Sequence, residues 1–182
     1  ATFDATSKLK KLDLGDNKIA KLSENAFMDL ENLNTLNLNS NCLSILPEIV
    51  FNDLQSLIYL SVSENHIEQL PTALFQSLSQ LKKLEFSQNE IVELPDGLFE
   101  SLIELKDLDL SHNKITKISN DVLSPLIKLE VLSLEGNLLE KLESQCYKNL
   151  YLLKYLHATD NYIEEIDERF HATLPHLKQL NV

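Results

Sequence analysis

The sequence predicts an α/β solenoid of about seven full repeats, with partial repeats at both ends and a single parallel β-sheet. Three observations support this prediction. Asparagine recurs at a constant spacing of 24 residues, at Asn17, Asn41, Asn65, Asn89, Asn113, Asn137 and Asn161. A frame of leucines precedes each asparagine, and a ladder of large apolar residues follows it. Because one repeat cannot bury its own apolar face, successive repeats must stack into one continuous core.

The first element of each repeat is a short strand. In the fifth copy the chain reads L-x-x-L-x-L-x-x-N, ending at Asn113. Leu108 and Leu110 are two residues apart, so both side chains leave one face of the strand, while Asp107 and Asp109 leave the other. The asparagine follows at the bend, where an inward amide can satisfy backbone groups of adjacent turns that would otherwise be buried and unpaired.

The second element is a turn on the opposite side of the coil. Large apolar residues stand 24 residues apart and are followed three residues later by leucine; they are Phe27, Phe51, Phe75, Phe99, Leu123 and Tyr147. This i, i+3 spacing predicts short turns or 3₁₀ segments whose large side chains form a spine. In the seventh copy His171 takes the spine position and Phe170 comes one residue early, so we expect altered packing there.

The ends of the chain also follow the repeat. Phe3 stands 24 residues before Phe27, and the sequence stops at Val182 inside an eighth strand. Solenoids need terminal caps with a polar outer face, so we expect residues 1–182 to be one solenoid domain excerpted from a longer array. The alternative is a complete domain with unprotected ends. The sequence has no apolar run of 18 residues, so no membrane span is expected in this segment.

Several chemical functions are disfavoured by the residues. Cys42 and Cys146 lie more than four repeats apart, roughly 20 Å at strand spacing, so no disulfide joins them. The five histidines fall at different repeat positions, and none accompanies a nucleophile motif. We interpret Asp107 and Asp109 as solvated acids, and we expect neither a metal nor a cofactor. A net charge of −12 repels phosphate, so nucleic acid is not an expected partner.

The repeat resembles the 24-residue "typical" class of leucine-rich repeats over essentially the whole chain. Its diagnostic element is the segment from Asn89 through Ile91 and Leu94 to Phe99. Arrays of this class occur in Toll-type receptors, Slit-type guidance proteins, small proteoglycans and adhesion proteins. The resemblance implies a horseshoe with the sheet on its concave face, protein recognition and an extracellular setting. Cysteine-rich caps and Asn-x-Ser/Thr sequons are missing from the sequence, so a cytoplasmic location stays open.

The exposed face of the predicted sheet carries the candidate partner-binding residues. Most of its positions are polar, but Val131 and Tyr155 are neighbours in the sixth and seventh copies. The other candidates on this face and its edge are Tyr59, Glu135, Leu138, His157 and Tyr162. Tyrosine is enriched at binding hot spots, and apolar side chains in adjacent copies form a patch. The sequence therefore predicts a protein-binding surface here.

A second apolar surface is expected on the convex side. Ile103, Ile127 and Tyr151 occupy one outward position in successive copies, with Leu152 alongside. Such a stripe suits lateral packing or formation of a homodimer.

The leading hypothesis is a protein–protein recognition module of an extracellular receptor, cell-adhesion or innate-immune protein that binds through its concave face. The alternative is an intracellular scaffold or protein inhibitor whose acidic concave face encloses a basic partner, with salt-sensitive association. We do not expect an enzyme.

Overall fold

The computed structural model describes residues 8–182, which form a single solenoid around one eight-stranded parallel sheet. Phe3 lies outside the described residues. The strands of this sheet are β1 (Lys11–Asp13), β2 (Thr35–Asn37), β3 (Tyr59–Ser61), β4 (Lys83–Glu85), β5 (Asp107–Asp109), β6 (Val131–Ser133), β8 (Tyr155–His157) and β10 (Gln179–Asn181). Each strand pairs with the equivalent strand of the next repeat, so the predicted solenoid and its parallel sheet are confirmed.

Strand register follows the 24-residue period without a shift. Leu84 pairs with Leu108, and Leu108 pairs with Leu132. These leucines have at most 1% of their surface exposed. Because side chains alternate across a strand, this register puts the central leucines of β2 to β6 and β8 in the core and their flanking residues on the open face. Leu12 and Leu180, in the two end strands, are half-buried.

The asparagine ladder links each turn to its neighbours. Asn89 Nδ2 donates to the carbonyls of Val62 (3.0 Å), Phe86 (3.2 Å) and Ser87 (3.3 Å). Its Oδ1 accepts the backbone N–H of Ile67 at 3.1 Å. The same pattern recurs at Asn41, Asn65, Asn113 and Asn137, all of which are buried. The inward orientation predicted for these five is confirmed; Asn17 is exposed and Asn161 half-buried.

A residue in the left-handed backbone conformation precedes every asparagine of the ladder. Its φ lies between 51° and 65° at Asp16, Ser40, Glu64, Gln88, His112, Gly136 and Asp160. Only the sixth copy uses glycine, the residue that adopts this conformation without strain. A Cβ at Gly136 would also lie 2.4 Å from His112 Nδ1. The leucine pattern did not predict this left-handed conformation. In the six copies without glycine, the hydrogen bonds of the asparagine side chains stabilise it.

The apolar spine explains why the array curves. Phe27 stacks on Phe51 with ring centroids 6.1 Å apart, and Phe75 stacks on Phe99 at 6.2 Å. Parallel strands lie closer together, at about 4.8 Å. Repeats spaced more widely at the spine than at the sheet bend the solenoid, so the sheet lines the concave face.

Short turns form the convex side, as predicted. Leu54 N donates to Phe51 O, and Leu78 N donates to Phe75 O, both at 3.0 Å, which closes single i→i+3 turns. Longer helical elements within residues 8–182 are a 3₁₀ helix at Ser144–Tyr147 and a one-turn helix α1 at Phe170–Thr173. A two-stranded parallel sheet, β7 (Lys141–Leu142) with β9 (Glu165–Ile166), lies outside the main sheet.

The seventh copy corrects one expectation. The 24-residue spacing assigns the spine position to His171, but His171 is exposed and Phe170 is fully buried. Helix α1 begins at Phe170 and turns this side chain inward, where it packs edge-on against Tyr147 with centroids 5.3 Å apart. Phe170 and not His171 occupies the spine position, because burying a phenylalanine side chain stabilises the fold more than burying a histidine. The altered packing itself was predicted.

Both cysteines are free thiols in different surroundings. Cys42 is exposed, whereas Cys146 is buried and its Sγ lies 3.2 Å from the carbonyl oxygen of Ile118. Burial, followed by the charge of Glu143, raises the pKa of the Cys146 thiol to about 11.

Within residues 8–182 no helix has the length and apolar character needed to cross a bilayer.

We predict that the ladder and the central leucines dominate stability. Asn89→Ala leaves several buried backbone groups unpaired and should lower the free energy of unfolding by about 3 kcal/mol or more. Leu108→Ala creates a cavity and should cost about 2–5 kcal/mol. Urea unfolding monitored by circular dichroism measures both. Asn25→Ala, at an exposed asparagine outside the ladder, is the matched control and should change stability by less than about 0.5 kcal/mol. Equal effects at Asn25 and Asn89 would contradict the ladder.

We also predict that the two thiols react at different rates. In the native protein Cys42 should react with a thiol reagent at once, because it is exposed. Cys146 should react only after unfolding, because it is buried and its raised pKa keeps it protonated at pH 8. Colorimetric thiol titration should therefore count one group in buffer and two in denaturant. Two fast thiols in buffer would place Cys146 at the surface.

Candidate partner-binding surface

The concave face is built from the residues that flank each central leucine. The strands hold these side chains in two columns, and a third column follows before the bend. In the middle copies the columns are polar, and in β6 and β8 they present Val131 and Tyr155. Since backbone pairing sets the direction of each side chain, the geometry of this face depends on contacts between residues 24 apart.

A hydrogen-bonded network occupies the middle of the face. Tyr59 Oη donates to Glu85 Oε2 at 2.5 Å. Ser61 Oγ lies 2.8 Å from the same carboxylate oxygen and 2.5 Å from Asn39 Oδ1, and its single proton serves one acceptor at a time. Lys83 Nζ lies 2.9 Å from Glu85 Oε1 and 3.3 Å from Asp107 Oδ2. The network therefore spans β3, β4 and β5.

The network shifts the titration of its members. Burial alone would raise the pKa of Glu85, but hydrogen bonds from Tyr59, Lys83 and Ser61 stabilise the carboxylate and lower this pKa. Donation to Glu85 raises the pKa of Lys83, and the charge of Asp107 adds to this effect. Burial, followed by the hydrogen bond to Glu85, raises the pKa of Tyr59. In the middle of the face, the positive charge of Lys83 thus partly neutralises the negative charges of Glu85 and Asp107.

Polar groups on either side of this network are also engaged. Asn37 Nδ2 donates to Asp13 Oδ1 at 2.8 Å, and Ser87 Oγ donates to Ser63 Oγ at 3.0 Å. Ser111 donates both its N–H and its hydroxyl to Asp109 Oδ1. These contacts leave few uncommitted hydrogen-bonding groups in the first five copies.

The sixth and seventh copies differ. Val131 and Tyr155 are paired in register, so their side chains stand side by side on the sheet. Both are half-buried, and the Tyr155 hydroxyl has no hydrogen-bond partner within residues 8–182. An apolar side chain thus lies beside an aromatic ring whose polar end is uncommitted.

The rim residues His157 and Glu135 have different surroundings. His157 Nδ1 lies 3.2 Å from Asn181 Nδ2 of the neighbouring strand. Among the described ion pairs none joins His157 to Glu135. The two side chains are diagonal across neighbouring strands, about 7–8 Å apart. The Glu135 carboxylate has no hydrogen bond or ion pair in the described part of the chain.

Leu138 and Tyr162 extend this region onto the edge of the horseshoe. They are equivalent residues that follow the asparagines of the sixth and seventh copies, and they are 38% and 66% exposed. They lie beyond the bend, roughly 20 Å along the chain from the Val131–Tyr155 pair. The structure thus gives two apolar pairs with Ser133, His157 and Glu135 between them.

Tyr59 does not join this region. It lies in β3, four strand spacings or about 19 Å from Tyr155. Its hydroxyl is committed to Glu85. The sequence analysis placed Tyr59 on the concave face but did not predict its hydrogen-bonded network. The network could have been found from the sequence, because Tyr59, Lys83 and Asp107 occupy the same repeat position in successive copies.

The convex candidates are exposed as expected. Ile103, Ile127, Tyr151 and Leu152 expose 49%, 50%, 55% and 44% of their surface.

Within residues 8–182, no group of three or more His, Cys, Asp or Glu side chains is arranged to hold a metal ion.

We predict a pH-dependent contribution of Glu85 to stability. A carboxyl group whose pKa is lower in the folded than in the unfolded chain stabilises the fold above its unfolded pKa, and this stabilisation is lost as pH falls through the folded pKa. Glu85→Gln should therefore cost on the order of 1 kcal/mol at pH 7, and the difference from wild type should shrink as pH falls from about 5 to 3. Chemical unfolding at a series of pH values measures this.

Glu48→Gln is the control for this prediction, because Glu48 is exposed and has no hydrogen-bond partner in the described residues. The control should follow wild type at every pH. A Glu85→Gln difference that stays constant from pH 7 to pH 3 would contradict the network.

Comparison with known proteins identifies the repeat. A family profile described as leucine rich repeat matches residues 7–67, 43–91, 56–102, 79–139 and 127–182. A crystal structure of a complex of TLR13 with ssRNA13 is similar, with a TM-score of 0.90 and 30% identity over 96% of this chain and 25% of the TLR13 chain. The structure of a leucine-rich-repeat protein of Leptospira interrogans has a TM-score of 0.81 and 33% identity, covering 94% of this chain and 42% of that one.

A comparison with curated protein sequences finds no match. The chain spans a quarter of TLR13 and less than half of the Leptospira protein. An extended concave surface on a repeat solenoid is typical of protein–protein recognition modules, which generally have no enzymatic activity. The profile matches, the unbroken 24-residue register and the asparagine ladder lead to one conclusion: the chain belongs to the leucine-rich-repeat family.

Proposed function

We propose that this chain is the recognition module of an extracellular receptor or cell-adhesion protein, and that it binds a protein partner on its concave face. The proposed contact surface, here called the concave band, consists of Val131, Glu135, Tyr155 and His157, with Leu138 and Tyr162 at its edge. The band crosses the sixth and seventh repeats in the direction of the strands.

The contrast between the two concave tyrosines carries this proposal. The Tyr59 hydroxyl is committed to Glu85, whereas the Tyr155 hydroxyl has no partner in the described residues. A partner that contacts Tyr59 must break an existing hydrogen bond, which offsets the bond it forms. A partner that contacts Tyr155 replaces only water at the hydroxyl and buries the ring, so no hydrogen bond within the protein is lost and the concave band is the more favourable place to bind.

Rigidity adds to this advantage. Val131 and Tyr155 lie in strands that pair on both sides, Val131 between Asp107 and Tyr155, and Tyr155 between Val131 and Gln179. Their side chains are therefore directed before the partner arrives, and little ordering entropy is lost on binding. Tyrosine anchors beside an apolar neighbour are typical of hot spots.

The extracellular setting rests on the resemblance to typical-class arrays and on the similarity to TLR13. TLR13 is bound to a single-stranded RNA in that structure. For this chain we favour a protein partner, because a net charge of −12 repels phosphate. Biotinylation of intact cells that express the full-length protein tests the setting, and labelling only after lysis would contradict it.

The alternative, an acidic scaffold or inhibitor that encloses a basic partner, is less well supported by the geometry. Its support is the net charge. On the concave face, however, Glu85 and Asp107 are both paired with Lys83. Recognition driven by charge would be strongly salt-dependent, whereas binding by the concave band should change little between low and physiological salt.

We predict that Tyr155→Ala weakens binding of a protein partner by about 2 kcal/mol or more, because it removes the uncommitted anchor of the concave band. Ile127→Ala, on the convex side, should leave affinity unchanged. Proteins captured from the native source by wild type are identified by quantitative mass spectrometry, and the affinity of the purified partner is then measured for each variant. Retained binding by Tyr155→Ala, with loss in Ile127→Ala, would move the recognition surface to the convex side.

A further inference from the structure

The convex side carries an apolar stripe confined to three repeats. Ile103, Ile127 and Tyr151 stand at one repeat position, and Leu152 lies beside Tyr151. Each exposes 44% to 55% of its surface. At the same position the earlier copies have Gln55 and Ser79, and the seventh has Pro175. The stripe therefore begins and ends within the chain, and it does not follow from the repeat pattern.

The column next to the stripe carries opposite charges at its two ends. Glu100, Ser124 and Lys148 occupy one exposed or half-exposed position in the same three repeats. Glu100 has no ion pair in the described residues, and Lys148 Nζ lies 4.0 Å from Asp121, at the limit of an ion pair. Two repeats at the spine spacing of 6.1–6.2 Å separate Glu100 from Lys148, and no ion pair joins them within one copy.

We propose that the convex stripe binds the stripe of a second copy of this chain in an antiparallel, two-fold arrangement centred on Ile127. Reversing the order of repeats in the second copy places Ile103 of each chain against Tyr151 of the other. The same reversal places Glu100 of each chain opposite Lys148 of the other, so both ion pairs form at once. Such self-complementarity is what a two-fold interface requires.

A parallel arrangement is disfavoured by the same columns. Rotation about the length of the stripe would bring the Glu100 column of one copy against the column of Glu104, Lys128 and Leu152 of the other. Glu100 would then face Glu104, and like charges repel. The antiparallel order brings Lys128 of the two copies together at the axis and places Glu104 opposite Leu152, but each Lys128 is paired with Glu104 of its own chain at 2.5 Å. The Glu100–Lys148 pairs form only in the antiparallel order, and they favour it.

The predicted dimer is weak and bivalent. Two convex surfaces touch over only a few repeats, so the interface is smaller than that of a stable dimer, and its dissociation constant should exceed about 1 µM. Because the stripe is on the opposite side of the core from the sheet, both concave faces stay open. Two copies would thus offer two binding surfaces, which raises avidity without a new contact.

Sedimentation equilibrium of the purified chain over a range of concentrations tests the dimer. Wild type should shift from monomer to dimer as concentration rises. Ile127→Arg adds two like charges at the two-fold axis, beside Lys128 of both copies, and removes the central apolar contact, so it should raise the dissociation constant by about tenfold or more. Gln55→Arg, at the same repeat position outside the stripe, is the matched control and should dimerise as wild type does. Equal thermal unfolding of both variants excludes misfolding as the cause.

Charge exchange tests the antiparallel order. Glu100→Lys alone and Lys148→Glu alone should each raise the dissociation constant by about fivefold, since each places like charges opposite one another twice. The double variant should restore the wild-type value. A chain that stays monomeric at all concentrations, equal loss in Gln55→Arg and Ile127→Arg, or a double variant without restoration would each overturn the proposal.

Discussion

The hydrogen bonds of the ladder asparagines are the interaction on which the rest of the structure depends. Each buried amide joins three carbonyls and one N–H from two successive turns, as Asn89 does with Val62, Phe86, Ser87 and Ile67. These backbone groups lie where the chain leaves the sheet and cannot pair within it. Without the amide they would be buried and unpaired, at a cost of about 1–3 kcal/mol each. The ladder therefore sets both the 24-residue period and the left-handed bend that precedes each asparagine.

A constant period makes the surface as ordered as the core. Because residues 24 apart are direct neighbours, an exchange at one position changes the contacts available to two others. In the middle of the concave face this produces a closed network around Glu85, where donors and acceptors satisfy one another. In the sixth and seventh copies Val131 and Tyr155 meet with no such compensation. One scaffold thus presents a region whose polar groups are paired with one another and the region that we propose for binding.

Curvature separates the two surfaces that we assign to recognition and self-association. Stacked phenylalanines space the repeats at 6.1–6.2 Å along the spine, and the strands are closer together at about 4.8 Å. The sheet consequently lines the inside of the horseshoe, and the convex stripe lies outside it. With the whole core between them, the concave band and the stripe can change independently, which makes variants of one a control for the other.

The sequence by itself determined the period, the parallel sheet with its buried leucines, the inward asparagines and the Phe spine. Each of these follows from spacing, since side-chain direction alternates along a strand and apolar surface must be buried. Tertiary structure alone decided which aromatic residue fills the seventh spine position, because helix α1 turns Phe170 inward and leaves His171 exposed. It also decided that Tyr59 is committed to Glu85 and that His157 contacts Asn181. Tyr59 and His157 each have several polar neighbours within reach. Which neighbour each one contacts depends on side-chain conformations that the repeat period does not specify.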